Sequence, residues 1–340
     1  MDNGSYLVSA IVSTYNSEKF IRGKIEDLLE QTLQDRLEII IVNSGSKQNE
    51  HSIISEYLDK HKNIKYINTS ERESIYKAWN RGIKASTGKF IANSNTDDRL
   101  RNDAYEVLAN VLADNPSVAL VYADQYITNV PNQKFKDVQS KEINVAPEFN
   151  RIHQFERCIV GSQPMWRASL HFDDGIWFNE KYEVCGDHEF ELNISQKYEL
   201  LHHNEILGTF YKCPEKKNKE YENPKRTMDE VYEITLNYMK KYIRTLDNSE
   251  LDKLISYVKK WIESPVYFSG IFRKILYRVK SNYMPSLEFI YILAALLATE
   301  HSGDLNRAKS YCEKFLRVRK SPRILHLYSS LQITKSPVIK

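Results

Sequence analysis

Cysteine is scarce and scattered in this chain of 340 residues: Cys158, Cys185, Cys213 and Cys312 stand far apart, with no CxxC spacing. That argues against a zinc module or a disulfide framework and for reduced thiols in a cytoplasmic protein. Long apolar runs are lacking too. The longest, FIYILAALLA at 289–298, falls short of the ~18–20 residues that span a bilayer and reads as a buried helix. The N-terminal MDNGSYLVSAIVS has no basic head and no long apolar stretch, so no signal peptide is expected. Neither GxGxxG nor GxxxxGK[ST] follows any apolar run, which counts against a dinucleotide-binding or P-loop enzyme.

What is present fits a folded protein with one large domain and an appendage: 41% hydrophobic and 27% charged residues over 340 positions. The net charge of +3 conceals an asymmetry. Residues 1–215 hold 24 Lys+Arg against 32 Asp+Glu, a net of −8, whereas 216–340 hold 24 against 13, a net of +11. The break near 215 places one domain at 1–218 and a second at 219–340.

The first domain alternates strand and helix patterns. YLVSAIVS (6–13), LEIIIVN (37–43), IKYIN (64–68), KFIANS and VALVYAD (118–124) read as strands. Between them, Phe20, Ile21, Ile25, Leu28, Leu29 and Leu33 form one helical stripe after a Ser17 N-cap; Ile53, Ile54, Tyr57 and Leu58 form another. Ile75, Ala78, Trp79 and Ile83 mark a third helix that is expected to stop at Gly88, and 103–113 a fourth. Short connections between such elements predict a mostly parallel α/β sheet flanked by helices. Ligands bind beyond the carboxyl ends of parallel strands, and the polar clusters STYN, NSGS and NSNTDD all sit there. Adjacent Asp97 and Asp98 on that rim point to a divalent cation, Mg²⁺ or Mn²⁺, which uses one or two carboxylates plus phosphate oxygens. A turn and helix N-terminus before RLRNDAYEVLANVL is the competing structural role.

In order and spacing these motifs resemble the family 2 glycosyltransferases of the GT-A fold. The resemblance rests on VSAIVSTYN (8–16), IIIVNSGS (39–46), AWNRGIKASTGKFIA (78–92), NTDD (95–98), SQPMWRASL (162–170) and CGDHEFELNISQKY (185–198). It implies a metal-dependent, inverting transfer of a sugar from a nucleotide-diphosphate donor, a UDP-sugar foremost, to an acceptor hydroxyl in glycan or polysaccharide biosynthesis. Ser13, Thr14 and Tyr15 would lie against the nucleotide base, with Asn43 in place of the family's usual Asp and Arg72 as a further donor contact. Asn95 replaces the first acid of the metal motif, so Asp97 and Asp98 would hold the metal. Asp187 would be the general base, and Gln163 and Trp166 would flank a glycan or lipid-linked acceptor, with Arg167 a weaker candidate. FYKCPEKKN (210–218) carries Cys213 where the family often has a His; Lys212, Lys216 and Lys217 are then the candidates for charge beside the diphosphate. The departures at Asn43, Asn95 and Cys213 also fit a degenerate, binding-only relative, and a nucleotidyltransferase is a third reading.

From about 224 onward the pattern is helical. Lys259, Lys260, Arg273, Lys274, Arg278 and Lys280 interleave with aromatics, as in helices that lie on anionic membranes, so peripheral membrane contact is expected beside a plain solvated bundle. No nucleic-acid motif accompanies the charge. Residues 292–322 resemble a single tetratricopeptide-type hairpin, with GD at the turn, Ala308 on its second helix and Pro322 at its end. One repeat does not make a solenoid, so this hairpin is expected to pack on the catalytic domain or to mediate self-association.

Overall fold

A computed structural model of the chain describes residues 6–139, 142–215, 222–263 and 285–333. They fall into two compact units, one drawn from Met1–Arg151 and Cys158–Glu230, the other from Ile152–Arg157 and Val231–Lys340.

The apolar runs of the first unit become β1 (Val8–Thr14), β2 (Leu37–Ser44), β3 (Ile64–Thr69) and β4 (Phe90–Asn93), paired in parallel in the order β3-β2-β1-β4. All of β2 is buried, as a strand covered on both faces must be. The crossovers are α1 (Glu18–Leu29), α2 (Glu50–Leu58) and α3 (Ile75–Lys84). Ile21, Ile25 and Leu28 of α1 share one core with Val8, Val12, Ile39 and Ile41. Each such burial is worth about 1.5–3 kcal/mol, so packing rather than intrinsic propensity holds these short helices.

Two expectations for α3 change. Ile75 is 39% exposed, while its neighbour Tyr76 is buried. The helix ends at Lys84 with Ala85 as its cap, so Gly88 does not stop it. Gly88 lies instead where the backbone crosses β1: a Cβ there would stand 2.6 Å from Ser9 Oγ and 2.7 Å from Ser9 N. Ser17 precedes α1 without a side-chain cap bond.

Beyond β4 come β5 (Arg99–Leu100), α4 (Ala104–Asp114), β6 (Val118–Thr128), β7 (Ile143–Asn144), α5 (Arg151–Gln154), β8 (Met165–Arg167), α6 (Ser169–Phe172), α7 (Gly186–Ser195) and β9 (Glu199–Tyr211). β8 inserts antiparallel between β4 and β6, β9 runs parallel to β6, and β5 lies antiparallel to β9. The sheet of the described residues is therefore mixed, ordered β3-β2-β1-β4-β8-β6-β9-β5 with β7 on β6. The α/β class is the expected one. Its longest registers are parallel, and the antiparallel insertions are only two or three residues long.

Past Tyr211 the described secondary structure is helical: α8 (Pro224–Thr245), α9 (Asn248–Ile262), α10 (Leu287–Glu300), α11 (Leu305–Val318) and α12 (Pro322–Ile333). α10 is buried almost all round, from Phe289 to Ala298, and packs against α9, α11 and α12, as a helix apolar on every side requires. Gly303, at φ 63°, turns α10 into α11, and Asp304 caps α11 by accepting from Arg307 N at 2.9 Å. No described helix is long and apolar enough to cross a membrane. The basic stretch with Arg273, Lys274, Arg278 and Lys280 lies outside the described residues.

Candidate active site

Because β1, β2 and β4 are parallel, their carboxyl ends meet at one rim, with Thr14 paired to Asn43 and Ile11 to Asn93. Thr14 is 1% exposed, and its Oγ1, like Asn93 Oδ1, has no partner among the described residues. Asn43 is committed to β3 and to its own turn: Nδ2 donates to Tyr66 Oη on β3 at 3.2 Å, and Oδ1 accepts from Ser46 N at 3.3 Å. Ser44 Oγ accepts from Glu73 N at 2.6 Å and donates to Glu73 O at 3.1 Å, drawing the loop after β3 onto the end of β2. That loop carries Arg72, whose exposed guanidinium lies 4.3 Å over the ring of Tyr15. Ser13, half-buried, leads into the same turn.

The acidic loop after β4 separates its two carboxylates. Asp98 is 1% exposed. Its Oδ1 accepts from Tyr211 N at 2.8 Å, and its Oδ2 accepts from Ser162 Oγ at 2.8 Å and Asn95 Nδ2 at 3.4 Å. Asp97 is half-buried, and no other described residue hydrogen-bonds its carboxylate. Burial raises the pKa of both acids, and the Asp97 charge raises Asp98 further. Positive charge sits beneath them. Arg99, 1% exposed, donates to Thr96 O at 2.8 Å, to Asp98 O at 2.7 Å and to Asn132 Oδ1. Lys24, also 1% exposed, pairs with Asp27 at 3.1 Å, and Asp27 in turn accepts from Leu100 N.

These residues fit a hard divalent cation of the Mg²⁺ or Mn²⁺ kind. Two adjacent, desolvated carboxylates repel each other, and one of them, Asp97, has its oxygens left for a ligand. No group of three His, Cys, Asp or Glu converges among the described residues. The protein's share would therefore be Asp97 and Asp98, leaving other positions to phosphate oxygens and water.

Asp187 is tied by tertiary contacts to α3, the helix that follows the carboxyl end of β3. Tyr76 stands in the first turn of α3, which follows the carboxyl end of β3. Its hydroxyl donates to Val184 O at 2.6 Å and lies 3.4 Å from Asp187 Oδ1, which itself accepts from His188 N at 2.8 Å. Burial, then the Asp187 charge, hold the Tyr76 phenol well above its ordinary pKa, so it remains a donor.

The residues expected on the acceptor side divide. Gln163 is half-buried, and its Nε2 donates to Thr209 O at 3.0 Å and Arg99 O at 3.3 Å, joining β5 and β9. Trp166 does not present a face to a sugar. It is 1% exposed, packed edge-on to Phe178 and Phe190, and its indole N–H donates to His171 Nε2 at 2.7 Å. The expected acceptor role gives way to a core role because the aromatic cluster encloses the ring. Arg167 likewise caps α4, donating to Leu112 O, Asn115 O and Val118 O. Cys213 lies 3.1 Å from Glu215 Oε2, Lys212 is exposed, and Lys216 and Lys217 fall outside the described residues.

Several site residues escape a sequence reading: Tyr76, Asn93, Arg99, Ser162 and Tyr211. Arg99 had a signal, a cation directly after two acids. Tyr211 had none, because it acts through its backbone N–H.

Residues 9–170 match the profile of Glycosyl transferase family 2. Over that stretch, 162 of the 340 residues, the chain is similar to the family. EpsJ of Bacillus subtilis (strain 168), described as an uncharacterized glycosyltransferase, is 31% identical to this chain over 186 residues, 51% of this chain and 53% of that protein. The chondroitin synthase of Pasteurella multocida (strain Pm70) is 27% identical over 201 residues, 59% of this chain but 20% of that protein. The chain thus spans about half the length, or less, of these curated relatives. Among solved structures, S. aureus TarS 1-349 in complex with UDP-GlcNAc aligns with a TM-score of 0.60 at 17% identity, covering 96% of this chain and 91% of that one. The complex of TarS 1-349 with UDP aligns at 0.57, covering 92% of each. At that identity the likeness is one of fold, and it assigns the GT-A type.

Proposed function

We propose that the chain is an inverting, divalent-cation-dependent glycosyltransferase that moves a sugar from a nucleotide diphosphate, UDP foremost, to an acceptor hydroxyl. One observation carries the reading: Tyr76, rooted just beyond the carboxyl end of β3, ties Val184 O and lies within reach of the Asp187 carboxylate, which supports a base on the side of the sheet where the Asp97–Asp98 loop follows β4. A carboxylate and a cation site at one rim are what such a transfer needs. The acceptor oxygen bonds to the anomeric carbon while the bond from that carbon to the diphosphate oxygen breaks, and the acceptor proton passes to Asp187. Tyr76 orients the base without competing for that proton, since its own is committed to Val184 O. Tyr15 and Arg72 face the base of the donor, over a floor formed by Ser13, Thr14 and Asn43. Asp97 and Asp98 would hold the cation, which as a Lewis acid offsets charge on the departing diphosphate. Gln163 lies on the acceptor side.

The acceptor is a glycan or lipid-linked glycan in polysaccharide biosynthesis, a reading supported by the chondroitin synthase similarity. Exposed Lys259 and Lys260 on α9 support peripheral contact with an anionic membrane surface on the cytoplasmic side.

The test is nucleotide release from a panel of UDP-, GDP- and dTDP-sugars with Mn²⁺, Mg²⁺ or chelator. Metal-dependent UDP release is expected, and silence with every donor and both metals would sink the reading. Asp187→Asn is expected to abolish transfer with UDP affinity retained; surviving transfer would move the base elsewhere.

A further inference from the structure

The segment entering the Asp187 helix is gripped from two sides, and one grip comes from a residue that the sequence places in the C-terminal appendage. Glu230, on α8, accepts three consecutive backbone N–H groups: Glu183 N at 3.0 Å on Oε1, and Val184 N at 2.9 Å and Cys185 N at 3.0 Å on Oε2. Such charge-assisted bonds to one carboxylate fix a turn far better than neutral ones. One turn earlier on α8, Arg226 pairs with Glu183 at 2.5 Å, and Thr227 O lies 3.8 Å from Cys185 Sγ. From the other side Tyr76 claims the Val184 carbonyl at 2.6 Å. Both the N–H and the C=O of Val184 are therefore held by elements remote in sequence, three residues before Asp187. The first compact unit accordingly runs on to Glu230.

We propose that Glu230 is a positioning residue for the transfer reaction: by tethering 183–185 it presets Asp187 at the rim. This rests on the reading of Asp187 as the base. A carboxylate that has to be caught in the right place at each turnover loses the advantage of preorganisation, and the loss falls on kcat rather than on donor binding.

The experiment compares the full-length wild type, Glu230→Gln and Asp187→Asn. The amide of Gln keeps one acceptor oxygen but turns an NH2 toward N–H groups. Amide exchange at 183–188 is expected to quicken about ten-fold or more in Glu230→Gln, with 8–14 and 37–44 unchanged. With whichever sugar nucleotide the wild type turns over, kcat is expected to fall about ten-fold and donor KM to stay within about two-fold. Unchanged exchange at 183–188, or quickened exchange with kcat unaltered, overturns the proposal. So does a change confined to KM. If Asp187→Asn keeps its activity, or the wild type turns over no donor, the reading of the base fails and the proposal falls with it. An inactive Asp187→Asn beside a normal Glu230→Gln defeats the proposal alone. Should Glu230→Gln not fold, Glu230→Asp, with the same charge one methylene short, is judged by the same outcomes.

Discussion

A Cβ on Gly186 would stand 2.7 Å from the ring of Tyr76. Glycine is thus required at the residue before Asp187, because a buried tyrosine occupies the space a side chain would take. That ring has little freedom to yield, lying against Trp79 and Phe178 at centroid distances of 5.5 and 6.0 Å. Gly186→Ala is expected to cost about 1–3 kcal/mol of stability through overpacking. Turnover should fall about ten- to hundred-fold as Asp187 shifts. Urea unfolding and nucleotide release measure the two effects separately.

The two acids of the NTDD loop should behave differently. Asp97→Asn removes a carboxylate that burial destabilises, so the metal-free protein should melt at the same temperature or higher. Calorimetry with Mn²⁺ and UDP should nevertheless show binding weakened by about ten-fold or more. Asp98→Asn breaks charged bonds to Tyr211 N and Ser162 Oγ, so it should lower stability by about 1.5–3 kcal/mol and metal affinity as well.

Arg99→Lys tests the support beneath that loop. A single ammonium does not replace a planar guanidinium that reaches Thr96 O, Asp98 O and Asn132 at once. Loss of about 2–5 kcal/mol in stability is expected from unpaired buried groups. Gly23→Ala should act in the same direction, since its Cβ would meet Arg99 Nη2 at 2.6 Å.

His171 predicts a pH dependence. Trp166 donates to its Nε2, so the proton sits on Nδ1 and donates to Ile176 O at 2.6 Å; the ring is neutral. Burial lowers its pKa from 6.5 to about 4. Between those values the unfolded chain binds more protons, so this contribution is complete above 6.5 and is lost as pH falls toward 4, at a slope of up to ~1.4 kcal/mol per unit. His171→Gln should flatten the curve of urea midpoint against pH across that window.

The four parallel strands and their crossovers were legible because β2 and β4 are apolar runs, β1 and β3 are short and rich in β-branched residues, and each helix is a stripe. β8 and β9 were not. Three residues at 165–167 carry no period, and ELLHHNEILGTFY is half-exposed and polar enough to hide a 13-residue partner for β6. On α3 the choice of Ile75 over Tyr76 failed for a related reason: hydrophobicity ranks isoleucine higher, but the cavity beside Phe178 suits an aromatic ring with a hydroxyl reaching Val184. Trp166 shows the limit most clearly, since indole serves equally as a sugar platform and as core filling, and only its neighbours decide which.

The sequence by itself determined the α/β class and pointed to the family likeness and to the acidic residues of the candidate site, because those depend on local patterns and on side-chain types at fixed spacing. Only the tertiary structure decided which acid is anchored and which is free, and which aromatic is core. It also decided that Glu230, far along the chain, holds the entry to the Asp187 helix. Those outcomes depend on hydrogen bonds between residues about 40 to 110 positions apart, often through backbone groups that every residue type shares.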